Sequence, residues 1–251
     1  MARSDMISAD AGRSFQVLPD AGAIATQAAE RIILRIAANA ARPAICLTGG
    51  SGPKALYALL GGPDYRSRIA WDRVHWFIGD ERFVSAGDER NNMAMAREFF
   101  LNRCAPPGNI HPMPTDASGP DAAARLYERE LQAFYGADRL DPAKPLFDLV
   151  LMGLGPDGHT ASLFPGDLAL DEPDRWVVGV DRAPVEPLVP RVTLTLPALA
   201  SSREMLFLVS GEAKHGILSK IRAGADLPGA RARSNGVTTW LTDTAAAGST
   251  A

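Results

Sequence analysis

The chain has 251 residues, 46% of them hydrophobic and 22% charged, which suits a folded protein with a sizeable core and excludes a disordered one. A net charge of -3 argues against a general nucleic-acid binder, whose surface is normally basic. There is no run of about 18 apolar residues to cross a membrane, no signal-peptide-like stretch in Met1–Asp20, and no metal or redox spacing between the two cysteines, Cys46 and Cys104. A cytoplasmic protein with reduced thiols, no membrane partner and no nucleic-acid partner is expected.

The predicted elements alternate between helix and strand. Asp20 has the character of an N-cap, followed by Ile24, Ala28, Ile32, Ile33 and Ile36 at helical spacing. The apolar run Ala44–Leu47 predicts a strand, and Pro53 suits the first position of a helix carrying Leu56, Leu59 and Leu60. Val74–Ile78 predicts a second strand, Asn92–Leu101 a helix, and the Pro- and Gly-rich Pro106–Pro120 a loop. Ser118–Tyr135 reads as a helix with Leu126, Leu131 and Phe134 on its apolar side. Strands follow at Phe147–Met152, Trp176–Val180 and Met205–Val209, with a last one at Thr238–Leu241. Arg191–Leu196 alternates polar and apolar residues, which predicts a half-exposed strand. The tail Ala245–Ala251 is small and polar and is expected to fray. The pattern predicts one α/β domain over residues 1–251, with a mostly parallel open sheet, helices on both faces and a smaller mixed addition.

Four of these strands end in a glycine-bearing polar turn: Gly49–Gly52, Gly79–Arg82, Gly153–His159 and Gly211–Lys214. In an open parallel sheet the carboxyl ends of the strands share one edge, where ligands bind. Ser51, Asp80, Arg82, Asp157, His159 and Lys214 are therefore expected to converge. One such turn is an ordinary βα connection; four, two with a cation and one with a histidine, favour a site. The Gly49-Gly50-Ser51-Gly52-Pro53 turn precedes a helix, so its backbone N–H groups suit an anion. Arg82 and Lys214 can add charge, Arg by a two-pronged grip and Lys as a point charge.

Two tempting motifs fail. Gly153-x-Gly155-x-x-Gly158 has the spacing of a dinucleotide fingerprint, but Pro156 interrupts it and Pro165 cuts short the helix it needs. Gly49-x-Ser51-x-Pro53 has a proline where a hydrolase nucleophile elbow needs glycine, so Ser51 is read as a phosphate ligand, with a serine nucleophile as the alternative that covalent labelling by a fluorophosphonate would reveal. Among His75, His111, His159 and His215 no pair has metal-ligand spacing, and no metal is expected. His75 lies within a strand and reads as structural. His159 differs because Gly155 and Gly158 leave its backbone room to approach a ligand.

The run Phe147–Pro165, with Gly153-Leu154-Gly155-Pro156-Asp157-Gly158-His159-Thr160-Ala161-Ser162 at its centre, closely resembles the signature of the 6-phosphogluconolactonases. The resemblance continues at Thr48–Ser51, Gly79–Arg82, Arg191–Pro197 and Gly211–Lys214, and at Trp240 with Asp243, so it spans about residues 44 to 243. It implies the α/β sheet shared with glucosamine-6-phosphate deaminases and ribose-phosphate isomerases. It also implies cofactor-free hydrolysis of 6-phospho-D-glucono-1,5-lactone in the oxidative pentose phosphate pathway. On that basis His159 is expected to be the general base, with Asp157 orienting it or a substrate hydroxyl. The phosphate is expected at Gly50-Ser51 with Arg82 and Lys214, and Arg191 is a further candidate for the same patch. The partner is a small sugar phosphate, and a monomer is expected. Gly52 stands where many relatives have threonine, which removes one hydroxyl from the turn. Deaminases of similar sequence carry an acidic residue soon after the histidine, and Thr160–Pro165 has none. A sugar-phosphate-sensing regulator would need a DNA-binding segment, and none is seen before residue 44.

Overall fold

The computed structural model describes residues 8–10 and 13–248. Among the described residues there are ten strands: β1 (Ser8–Asp10), β2 (Arg13–Leu18), β3 (Ala44–Leu47), β4 (His75–Ile78), β5 (Asp80–Arg82), β6 (Leu149–Met152), β7 (Val177–Val180), β8 (Arg191–Leu194), β9 (Glu204–Val209) and β10 (Val237–Asp243). Seven form one sheet in the order β1-β2-β10-β9-β6-β3-β4. Every pairing in it is parallel except that of β1 with β2. β3, β6 and β9 are buried at every position. Successive strand residues point to opposite faces, so both faces of the sheet are covered.

The long helices are α1 (Ala21–Ala38), α2 (Lys54–Gly61), α3 (Pro120–Tyr135) and α4 (His215–Arg222). Asp20 caps α1 by accepting the Ala23 N–H at 2.8 Å, and Ile24, Ala28, Ile32 and Ile36 form its buried stripe. Pro53 is the capping residue of α2, one position before the predicted one. The helix at Asn92–Ala96 runs on into a π-helical turn at Arg97–Leu101. α3 buries Ala123, Tyr127, Leu131 and Tyr135, spaced four apart, while Leu126 is exposed. The expected apolar side was rotated because Leu126 outweighs alanine on hydropathy but lies off that stripe.

The second sheet, β5-β8-β7, is antiparallel throughout rather than mixed. Arg191–Leu194 is fully buried, not half-exposed. Its polar residues face the binding cavity and neighbouring loops instead of solvent: Thr193 Oγ1 accepts the Ser162 N–H at 3.2 Å. β2 was not foreseen from the sequence; it adds to β10 in parallel, with Phe15 stacked on Trp240 at 5.6 Å. Part of the expected frayed tail is ordered, since Asp243 caps a turn of helix at Thr244–Ala247; residues 249–251 lie outside the described part. No helix among the described residues is long and apolar enough to cross a membrane.

The winding of the large sheet fixes where a ligand goes. From β3 the chain moves outward to β4; from β6 it travels through the small sheet to β9, on the other side. The direction reverses between the neighbours β3 and β6, so the loops after them part and leave a crevice at their carboxyl ends.

Candidate active site

At that crevice lies a cavity of about 270 Å³. Gly49, Gly50, Ser51, Asp80, Arg82, His159, Arg191 and Lys214 all line it. Asp157 does not; it stands behind the histidine.

The turn after β3 is held from two directions. The buried Tyr57 hydroxyl donates to the Thr48 carbonyl at 2.7 Å and accepts the Thr48 N–H at 3.0 Å. The Asn92 side-chain amide packs on Gly49, where a Cβ would lie 2.0 Å from Asn92 Oδ1. Asn92 Nδ2 donates to the Asp80 carbonyl at 2.9 Å, so this amide also ties the turn to the strand carrying Asp80 and Arg82. Gly50 has φ +82, a conformation that glycine adopts freely.

Asp80 to Arg82, predicted as part of a turn, form a strand of the small sheet. Asp80 pairs with Thr193 and Arg82 with Arg191. The Asp80 carboxylate accepts the Ser162 hydroxyl at 2.7 Å. Arg82 Nη1 donates to the Arg90 carbonyl at 2.8 Å, and Arg191 Nη2 to the Pro187 carbonyl at 2.7 Å. Burial lowers the Arg191 pKa, and Arg82 adds to the effect, while Asp80 and Glu81 oppose it. Two cations directly opposed on a strand pair repel, so the arrangement favours an anion between or beside them. Glu81, fully buried, accepts the N–H groups of Asn92 at 2.6 Å and Met93 at 2.9 Å and thereby caps the helix that delivers Asn92. Burial pushes the Glu81 carboxyl up to about 7 against those donors.

The turn after β6 presents the imidazole. His159 Nδ1 lies 2.5 Å from Asp157 Oδ1, which also accepts the His159 N–H at 3.1 Å. An ionised carboxylate only accepts, so the Nδ1 proton belongs in this bond and Nε2 carries the free lone pair. The ring lies over Gly155, where a Cβ would be 2.1 Å from it, and against Phe164 at 4.9 Å between centroids. Gly158, with φ +88, closes the turn, and the Thr160 hydroxyl donates to the Gly153 carbonyl at 2.8 Å.

After β9, Lys214 Nζ donates to the Leu154 carbonyl at 2.6 Å. Burial lowers the lysine pKa and the nearby Asp157 opposes the shift. The turn bearing it is fixed by Asp243, whose two carboxylate oxygens accept the Gly211 N–H at 3.0 and 2.9 Å. The remaining histidines lie elsewhere. His75 and His111 bond ring to ring at 2.9 Å, with Glu130 on the second nitrogen of His111, and neither lines the cavity. His215 is exposed on α4. Among the described residues no cluster of three or more metal-ligating side chains is found. Tyr57, Asn92, Ser162 and Glu81 were not singled out from the sequence; each acts through a tertiary contact that leaves no spacing pattern in the chain.

Residues 19–240 match the family model described as glucosamine-6-phosphate isomerases/6-phosphogluconolactonase. The chain belongs to this family. A 6-phosphogluconolactonase of Mycobacterium tuberculosis is 42% identical over 245 residues, covering 93% of this chain and 97% of the relative. One from Synechocystis is 40% identical over 192 residues, 76% of each. Among solved members of the family, the crystal structure of the Thermotoga maritima 6-phosphogluconolactonase has a TM-score of 0.79 at 31% identity, covering 92% of this chain and 99% of that one. A monomeric glucosamine-6-phosphate deaminase with a TM-score of 0.78 at 19% identity shares the fold.

Proposed function

We propose that the protein hydrolyses 6-phospho-D-glucono-1,5-lactone to 6-phospho-D-gluconate, with His159 as general base, as a cytoplasmic step of the oxidative pentose phosphate pathway. The observation that carries the reading is the Asp157–His159 pair. It leaves Nε2 available as a base beside a cavity whose charged lining is Arg82, Arg191 and Lys214 against Asp80. Three cations against one carboxylate leave a surplus of two positive charges, which suits a phosphate of about -1.5 to -2. The relatives named 6-phosphogluconolactonase support the same substrate.

In this mechanism the phosphate sits against the Gly49-Gly50-Ser51 turn with Arg82, Arg191 and Lys214, and Asp80 accepts from a sugar hydroxyl. Anchoring the phosphate brings the lactone carbonyl to the imidazole, a proximity effect. Nε2 takes a proton from water as the water oxygen bonds to C1. The resulting oxyanion collapses, the bond from C1 to the ring oxygen breaks, and the imidazolium returns its proton to that oxygen. Asp157 stabilises the transient imidazolium and holds the tautomer. The working unit in this reading is a monomer. One continuous core joins the two sheets, which supports treating residues 1–251 as a single lactonase domain.

The test is product formation from freshly made 6-phosphogluconolactone, with spontaneous hydrolysis subtracted. His159→Ala is expected to lower kcat by about 10²–10⁴-fold with a much smaller change in KM. Turnover close to that of the wild type would remove His159 from the base role. Ammonia release from glucosamine 6-phosphate would move the protein to the deaminase branch.

A further inference from the structure

The anion turn is shaped by a residue that never reaches the cavity. Tyr57 is fully buried on α2, with its ring against Phe100 at 5.2 Å. Packing alone would be served as well by phenylalanine. The hydroxyl, however, bonds both backbone groups of Thr48, the first residue beyond β3 and the one before Gly49. Burial pushes the phenol pKa up, so the hydroxyl keeps the proton it donates.

A second buried tyrosine has the same relation to the neighbouring strand. The Tyr127 hydroxyl, from α3, accepts the Ile78 N–H at 3.1 Å and lies 3.3 Å from the Ile78 carbonyl, at the end of β4. Ile78 leads to Gly79 and Asp80. The two hydroxyls thus fasten two different arms of the site: Tyr57 the glycine turn, Tyr127 the strand end that precedes Asp80 and Arg82. Beyond Thr48 the turn runs outward, with Gly50, Ser51 and Gly52 exposed and no atom within 4 Å of a Cβ placed on Gly50. Its shape therefore depends on how its base is held.

We propose that Tyr57 is a positioning residue that sets the anion-binding shape of the Thr48–Gly52 turn, and through it the preference for a phosphorylated over an unphosphorylated sugar lactone. The proposal rests on the reading that this turn receives the phosphate. Tyr135 provides the matched control: its buried hydroxyl donates to the Lys144 carbonyl at 2.7 Å and accepts the Asp141 N–H at 2.8 Å, and none of these residues lines the cavity.

The experiment compares kcat/KM for 6-phosphogluconolactone and for glucono-1,5-lactone in wild type, Tyr57→Phe and Tyr135→Phe, with thermal unfolding of all three. Tyr57→Phe is expected to lose about tenfold on the phosphorylated substrate, through KM, which corresponds to one good hydrogen bond. On the unphosphorylated lactone it should lose less than about twofold, so that the preference collapses while Tyr135→Phe preserves it. Equal losses on both substrates in Tyr57→Phe would make the hydroxyl merely structural and overturn the proposal alone. A wild type with no preference for the phosphorylated lactone would overturn the phosphate reading and the proposal together. Should Tyr57→Phe fail to fold, hydrogen exchange in the wild type decides. Saturating inorganic phosphate should slow exchange of the Thr48 amide more than that of Asp141, which is held by the Tyr135 hydroxyl away from the cavity, and equal or absent protection overturns the proposal.

Discussion

Gly155→Ala tests the placement of the imidazole without altering any polar group. Gly155 is absent from the residues with positive φ, so alanine fits its backbone and the substitution acts by volume alone. The added Cβ would lie 2.1 Å from the His159 ring, where ordinary contact begins at 3.4 Å, so the ring must retreat by about 1.3 Å or the turn must open. Retreat is opposed by the 2.5 Å bond to Asp157 on one atom of the ring and by Phe164 against its side. A base displaced by about 1 Å from its working position costs on the order of 10²-fold in rate. The expected result is therefore a fall of that size in kcat for 6-phosphogluconolactone, with KM within about threefold of wild type because the phosphate contacts lie on other loops. Gly153→Ala is the control: its Cβ would meet only Thr48 Oγ1, at 3.9 Å, and should leave kcat near wild type. If Gly155→Ala turned over like the control, the imidazole would be mobile or uninvolved, and the case for His159 as base would fail.

Two further outcomes follow from the surroundings of the site. Gly49→Ala drives a methyl into the Asn92 amide and should lower kcat/KM by tenfold or more, while the double variant Gly49→Ala/Asn92→Ala should recover part of the loss; strictly additive losses would show that the two residues do not meet. Glu81 sets a pH dependence of stability. Its folded value of about 7 stands above the ordinary 4.5, so between those limits the unfolded chain gives up a proton that the folded one keeps. Stability is therefore predicted to fall as pH rises from about 4.5 to 7, by up to about 3 kcal/mol. Urea unfolding of wild type and Glu81→Gln across that range should show a flatter profile for the variant, and superimposable profiles would refute the assignment.

The parts of the fold legible in the sequence are those where one physical requirement acts on neighbouring residues. A strand buried on both faces must be apolar throughout, and the turn that follows it must bend sharply; Ala44–Leu47 with Gly49-Gly50, and Leu149–Met152 with Gly153, satisfy both demands within a few residues. The same reasoning fails at Asp80–Arg82 and Arg191–Leu194, because a polar residue in a strand signals solvent only when that face is wet. Here the polar face is turned to the cavity or its walls, so Thr193 and Arg191 are buried and the alternation misleads. β2 offered Phe15, Val17 and Leu18 against three polar residues, too short a run to distinguish from a loop.

The groups that meet the substrate in the proposed mechanism could be picked out because charge and imidazole are conspicuous at strand ends. Their supports were hidden for a reason inherent in sheet-edge sites. Where a parallel strand ends, the hydrogen-bond ladder ends with it, but the cavity walls still bury the next backbone groups, which then require partners from elsewhere. Tyr57 supplies one at Thr48, Tyr127 at Ile78, Thr160 at Gly153 and Asp243 at Gly211. Each of the four site loops therefore starts from a backbone position fixed by a side chain that is distant in sequence, or that lies inside a motif for other reasons. A backbone N–H or C=O left unpaired costs about 1–3 kcal/mol when buried, so these contacts preserve stability and loop geometry together. A variant at any of them should consequently show both a lower Tm and a loop-specific kinetic defect, whereas a variant at Arg82 or Lys214 should lose substrate affinity with little change in Tm.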